Sequence, residues 1–268
     1  MQRISSAADG RSFAEILIDC FRNQYLGPGV PALAPSAPQT AYCKPQRHLR
    51  EAALVPRDSA LLFVDVQNYN CSLQGAINMA SCQRVGEQGR AQAPGTEYWW
   101  RALEAAEARW KRLRAACKRA GIEVIYTVMQ SLTADGRDRS LDYKISGFHV
   151  PPGSFDAQVL ECVAPGEDDI VLPKTSSSVF ISTNLDYLLR CLGKRQVVVV
   201  GALTDQCVEG AVRDACDLQY LVTLVTDACV TMSSERQEAS LRAIGGYCRQ
   251  RTTEQLLAEL APAAAAGS

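Results

Sequence analysis

The stretch QVVVVGALTDQCVEGAVRDA, residues 196–215, decides how this chain is read. After Gln196 it continues VVVVGA, an unbroken apolar run, rich in β-branched valine and too short for a helix. A strand apolar on both faces belongs in a parallel sheet covered by helices on both sides. The pattern then changes to helical spacing through VEGAVRDACDL, so the segment predicts a strand over 196–202, a tight turn, and a helix starting near Gln206 or Cys207.

Moving outward, the same short apolar runs recur at ALLFVDV (60–66), IEVIYTVM (122–129), DIVLP (169–173), LVTLVTDA (221–228) and near Tyr247–Arg251. Helical patterns lie between them. WWRALEAAEARWKRLRAACKRAG ends at Gly121 as a C-cap glycine, NLDYLLRCLG follows Thr183 as N-cap and ends at Gly193, and SERQEASLRAIGG forms a further helix. This alternation predicts an α/β fold, a three-layer α/β/α sandwich around a six-stranded, mostly parallel, Rossmann-like sheet.

The 268 residues, 47% hydrophobic and 21% charged, suffice for one large α/β domain plus an extension. A net charge of -1 offers no field to gather nucleic acid or an anionic membrane. No apolar run approaches the roughly 20 residues of a membrane span. The N-terminus MQRISSAADGRSFAEILIDC carries acids where a secretory core is uninterrupted, and Asp9, Glu15 and Asp19 count against organelle targeting, so a soluble cytoplasmic protein is expected. The domain is placed at 58–257. It follows an N-terminal arm, 1–57, with a helix over Ser12–Tyr25 and a Pro/Gly-rich linker, and it precedes a disordered tail, 258–268. The eleven cysteines are scattered, odd in number and never spaced C-x-x-C, which reads as reduced thiols. His48 and His149 are too few and too far apart for a histidine metal site, and they leave a carboxylate as the expected general base.

In sheets of this kind ligands bind outside the carboxyl ends of the strands, where strand order reverses. Three strand ends carry chemistry: Asp65 after the first, Lys174 after the third, and Cys207 beyond the fourth. Each alone is an ordinary turn residue, solvated cation or packed thiol. Together they are an acid, an ammonium and a thiol on one rim, the parts needed for nucleophilic attack on an amide. A base, a positive neighbour and a helix N-terminus all act to favour thiolate, so a depressed Cys207 pKa is expected. Gln67, Asn68 and Gln130 border the same crevice as candidate substrate contacts, with loop hydrogen bonding the alternative for each. Tyr98, Trp99 and Trp100 read as pocket wall, core or subunit interface. The charged stretch 135–144 reads as solvated surface, or as a lid in which Arg137, Arg139 or Lys144 meets an anionic substrate. Arg213 and Asp214 read as an internal ion pair.

The segments LLFVDVQN, VLPKTSSSVFISTNL and GALTDQCVEGAVRDA resemble the three signature blocks of the isochorismatase-like cysteine hydrolases, over about residues 58–257. The resemblance implies a catalytic triad of Asp65, Lys174 and Cys207. It further implies a non-proline cis peptide between Ala202 and Leu203, and an oxyanion hole made by the backbone amides of Leu203 and Cys207. It implies no cofactor and no metal, and a homo-oligomer, dimer or tetramer. Isochorismatases do not need the cysteine, so Cys207 points to an amidase. Nicotinamidases carry an added Asp and His metal cluster, and QNYNCSLQG and TVMQSLTADG have no histidine. PPGSFDAQVL, DDIVLPK and then Ser178, Phe180, Thr183 and Leu185 are similar to the ureidoacrylate amidohydrolase branch. The implied activity is cysteine-dependent cleavage of a small amide or ureido compound, ureidoacrylate-like first. The alternatives are a nicotinamidase, a biuret or carbamoyl-amino-acid hydrolase, and a non-catalytic or redox-regulated relative.

Overall fold

Strand β1, Ser59–Val64, is buried along its whole length, and its side chains sort by alternation onto two separate cores. Leu61 and Phe63 face one side, while Ala60, Leu62 and Val64 face the other. The structure, a computed structural model, describes residues 50–78 and 97–261. The helix expected over 12–25, His48 and the far end of the tail lie outside the described residues.

Six strands form one sheet in the order β3-β2-β1-β4-β5-β6. They are β2, Glu123–Met129; β3, Ile170–Lys174; β4, Gln196–Ala202; β5, Leu221–Val230; and β6, Arg249–Arg251. All five pairings are parallel, so the expected sheet is present and wholly, rather than mostly, parallel. The chain runs from β1 outward to β3, returns to β4 beside β1, and runs outward the other way. The order therefore reverses between β1 and β4, which is where a crevice opens in such sheets.

Helices cover both faces. They are α1, Asn68–Cys71; α2, Glu97–Arg119; α3, Leu141–Ser146; α4, Val179–Ser182; α5, Leu185–Cys191; α6, Glu209–Asp217; α7, Ser234–Ile244; and α8, Thr253–Leu260. Helix α2 sends Trp99, Leu103, Trp110 and Leu113 against Leu61 and Phe63, so Trp99 is core rather than pocket wall. Helices α5, α6 and α7 supply Leu185, Leu189, Val212 and Ile244 to the opposite core. Gly121 follows α2 at φ 74° and Gly193 follows α5 at φ 66°, as the C-cap reading requires. The N-cap of α5 is Asn184 rather than Thr183, although the Thr183 hydroxyl still accepts the Leu185 N–H at 3.1 Å.

The segment 50–57, placed in the linker from sequence, is fastened to the domain. Leu54 N–H donates to Glu259 Oε1 at 2.6 Å, Val55 N–H to Gln196 Oε1 at 2.7 Å, and Glu51 pairs with Arg251 at 2.6 Å. Among the described residues no helix is long and apolar enough to cross a membrane.

Candidate active site

The carboxyl ends of β1, β3 and β4 bring their predicted residues together. Asp65 directly follows β1 and has left-handed backbone, φ 53°, uncommon for a residue with a Cβ and a conformation that clusters at functional sites. Its N–H donates to the Thr127 carbonyl at 3.1 Å, and its Oδ1 accepts the Thr127 hydroxyl at 3.1 Å. Thr127 lies beside Val64 in the β1–β2 register, so the neighbouring strand holds the carboxylate from the side.

Lys174 ends β3 and is fully buried. Its ammonium lies 2.9 Å from Asp65 Oδ2 and donates to the Tyr143 hydroxyl at 3.0 Å, the Ser176 carbonyl at 2.9 Å and the Cys207 thiol at 3.4 Å. Burial alone would strip a lysine of its proton; Asp65, with Cys207 and Tyr143 adding to it, instead pushes this pKa above its ordinary value. The ammonium is the hub of the cluster.

Cys207 arrives by a special turn. Gly201 sits at φ 130°, and a Cβ there would fall 2.1 Å from the Val64 carbonyl, so only glycine lets β4 pass β1 at this point. The pairing of β4 with β5 slips between Val199 and Gly201, and the Ala202–Leu203 peptide that follows is cis. A π-type turn, Thr204–Val208, then leads into α6, its first bond running from the Val208 N–H to the Leu203 carbonyl at 3.2 Å. That carbonyl also accepts Gln206 N–H, and the Cys207 amide is not among its donors.

The Cys207 thiol differs from the sequence expectation. Burial, with Asp65 beside it, outweighs the lowering effect of Lys174, and its pKa is pushed up to about 11. The resting group is a thiol. The helix start does not lower the pKa because the residue is only 6% exposed and the Asp65 carboxylate acts against the Lys174 ammonium.

Of the candidate contacts, Gln67 is committed to structure. Its Oε1 accepts Met129 N–H at 2.6 Å, and its Nε2 donates to the Met129 and Asp156 carbonyls at 3.0 and 2.9 Å. Asn68 donates its amide to the Phe155 carbonyl at 3.0 Å. Both tie the segment after β1 to the turn Phe155–Ala157, which gives the GSFD match a structural role. Gln130 instead lines a narrow pocket beside Lys174, together with Ser131, Arg139, Tyr143, Phe148 and Thr175. Arg137 is turned outward onto Asp135, and Lys144 is exposed. Arg213 pairs with Glu209 at 2.7 Å and Asp214 accepts the Ser178 hydroxyl at 2.5 Å, so the expected Arg213–Asp214 pair is replaced by two others.

Sequence reasoning missed Thr127 and Tyr143. Thr127 had a signal, being the one aliphatic hydroxyl in β2, beside the reversal point. Tyr143 sits in a charged stretch, and only the Ser140 cap that folds 141–146 into α3 turns its ring inward. Among the described residues no group of three or more His, Cys, Asp or Glu is arranged to hold a metal.

Residues 59–255 match the isochorismatase domain family. The chain belongs to the isochorismatase family. Among its relatives, this isochorismatase-family chain is 30% identical over 219 residues to the ureidoacrylate amidohydrolase RutB of Variovorax paradoxus, covering 77% of this chain and 82% of that protein. It is 31% identical over 192 residues to the RutB of Acinetobacter baylyi, covering 66% and 72%. Its fold is similar to a cysteine hydrolase from Pseudomonas syringae pv. phaseolicola, with a TM-score of 0.65 and 23% identity over 78% of this chain and 95% of that one.

Proposed function

We propose that the chain is a cysteine-dependent amidohydrolase that cleaves a C–N bond of a small ureido or amide compound through a thioester-type acyl-enzyme on Cys207. The observation that carries this reading is the single buried ammonium, Lys174, contacting both the Asp65 carboxylate at 2.9 Å and the Cys207 thiol at 3.4 Å. Its similarity to ureidoacrylate amidohydrolases supports a ureidoacrylate-like substrate ahead of nicotinamide, biuret or carbamoyl amino acids.

A thiol held at a pKa of about 11 needs its proton removed as it attacks. Asp65 takes that proton, and the sulfur bonds to the carbonyl carbon. Lys174 stays charged throughout and holds the carboxylate in place until the transfer. The developing oxyanion is received by the Leu203 and Cys207 amides at the turn after β4, where donors precede the helical ladder. Protonated Asp65 then gives its proton to the departing nitrogen, which leaves as ammonia or as the substrate amine. Water, deprotonated by Asp65, cleaves the S–C bond and restores the thiol.

The test is ammonia release by the protein and by Cys207→Ala over ureidoacrylate, biuret, a carbamoylated amino acid, nicotinamide and an aliphatic amide. Release from the ureido compounds, lost in the variant, is expected. Equal release by both proteins would overturn the thiol mechanism, and preference for nicotinamide would overturn the substrate reading.

A further inference from the structure

The pocket beside Lys174 carries more charge than the chemistry of the thiol requires. Arg139 forms part of its wall. The guanidinium is held in place from behind: Nε donates to the Gly136 carbonyl at 2.8 Å and Nη1 to the Phe148 carbonyl at 2.7 Å. Neither partner is charged, and among the described residues no carboxylate pairs with Arg139. Other arginines of the domain are paired with acids, as Arg114 is with Asp169 at 3.1 Å and Arg190 with Asp186 at 3.0 Å.

A second observation concerns Ser131 on the same wall. The residue is 2% exposed, and its hydroxyl has no hydrogen-bond partner. A buried hydroxyl left unpaired is costly unless something completes it. Its backbone is fixed by Ser131 N–H donating to the Val150 carbonyl at 2.9 Å, so the side chain stands on a firm base. The carboxamide of Gln130 lines the same pocket.

The charges decide the ligand class. Lys174 and Arg139 line the pocket as cations, no acidic side chain lines it, and Asp65 neutralises only Lys174. One positive charge is left over, on a planar fork suited to a carboxylate. We propose that Arg139 and Ser131 form a carboxylate-binding subsite, so that the substrate is an acid whose carboxylate docks there while its carbonyl meets Cys207. This deepens the amidohydrolase reading and rests on it. It makes Arg139 a specificity-determining residue: a fixed guanidinium recognises the carboxylate equally in ground and transition states, so its loss falls on KM. Arg137 and Lys144, on the same charged stretch, take no part because both are exposed to water.

The test uses a matched pair, N-carbamoyl-β-alanine and n-propylurea, which share the ureido group and differ in the carboxylate. Calorimetric binding is measured on the full chain carrying Cys207→Ala, so that turnover is not needed. The acid is expected to bind at least tenfold more tightly than the neutral urea. Adding Arg139→Gln should remove that preference, and Arg139→Lys should restore part of it. Ser131→Ala keeps the proposal falsifiable should Arg139→Gln disturb its loop, because the Ser131 hydroxyl holds nothing in place; it should weaken the acid severalfold and leave the urea unchanged. Equal binding of acid and urea, no binding of either, or an unchanged preference in both variants would overturn the subsite. Failure of the thiol mechanism is read separately, as ammonia release that survives Cys207→Ala.

Discussion

Two buried ion pairs, one at each end of the sheet order, are built from the same kinds of group and are put to different uses. Arg249 and Glu259 pair at 3.0 Å, with side chains 2% and 21% exposed. Arg249 also donates to the Thr223 hydroxyl at 3.0 Å, and Glu259 accepts the Leu54 N–H, so the pair clamps β6, β5, α8 and the segment before β1. Lys174 and Asp65, both essentially inaccessible, instead share the ammonium with a phenol, a carbonyl and a thiol at the edge of a pocket. Burial of an ion pair is thus no mark of function by itself. What separates the two is the nature of the third partner: backbone and hydroxyl groups in one, a nucleophile in the other.

The comparison is broken most severely at the nucleophile. Cys207→Ala should lower ammonia release by more than about 10³-fold, since a residue that bonds to substrate has no substitute. Its thermal unfolding should remain cooperative. A variant with residual activity above a tenth of the parent would dissolve the distinction between the two pairs.

Next come the cations. Lys174→Met leaves the Asp65 carboxyl inaccessible and without its cation and should cost about 3–5 kcal/mol in denaturant unfolding, besides abolishing turnover. Arg249→Met leaves an acid that can turn toward water, so a smaller loss of about 1.5–3 kcal/mol is expected. Its turnover per folded molecule should be unchanged. Reversed ranks, or lost activity in Arg249→Met, would mean that the partners do not sort the pairs as argued.

The thiol gives a pH test. Because Cys207 titrates near 11, its alkylation by iodoacetamide should rise about tenfold per pH unit from neutrality toward that value, with no plateau near pH 7. The folded thiol holds its proton more tightly than the ordinary value of 9.0, so the stability this contributes is complete below that pH and is lost as pH rises toward about 11. Cys207→Ala should lack that part of the alkaline decline. A flat alkylation profile would point to a resting thiolate. The smallest effect belongs to Thr127→Val, which removes the hydroxyl that holds Asp65 Oδ1 and should cost about tenfold in kcat with little change in KM.

Much of this was legible in the sequence because strands and strand ends follow from local pattern. The valine run of β4 and the three residues at the strand ends come from alternation and length, whereas which strands are neighbours, and so where the order reverses, does not. The electrostatics of the rim did not follow. Counting Lys174 and the helix start toward Cys207 neglected burial, which acts on the thiol more strongly than either, and no linear pattern reports it. Gln67 illustrates the other gap: its side chain looks free in the sequence, yet Val159 and Met129, both far along the chain, close around it. Arg139 and Arg137 are alike as letters two positions apart, and only the Ser140-capped fold of α3 and the chain's return at Phe148 turn one to the pocket and leave the other in water.

The central claim is that the Cys207 sulfur becomes covalently attached to substrate carbon. Acid-quenching the enzyme during turnover of the preferred ureido acid, followed by intact-mass and peptide mass spectrometry, tests it most directly. The account predicts an acyl adduct on the peptide containing Cys207, absent from Cys207→Ala and increased in a variant that slows hydrolysis of the intermediate. Full turnover with no adduct at any quench time, or an adduct on another residue, would contradict it.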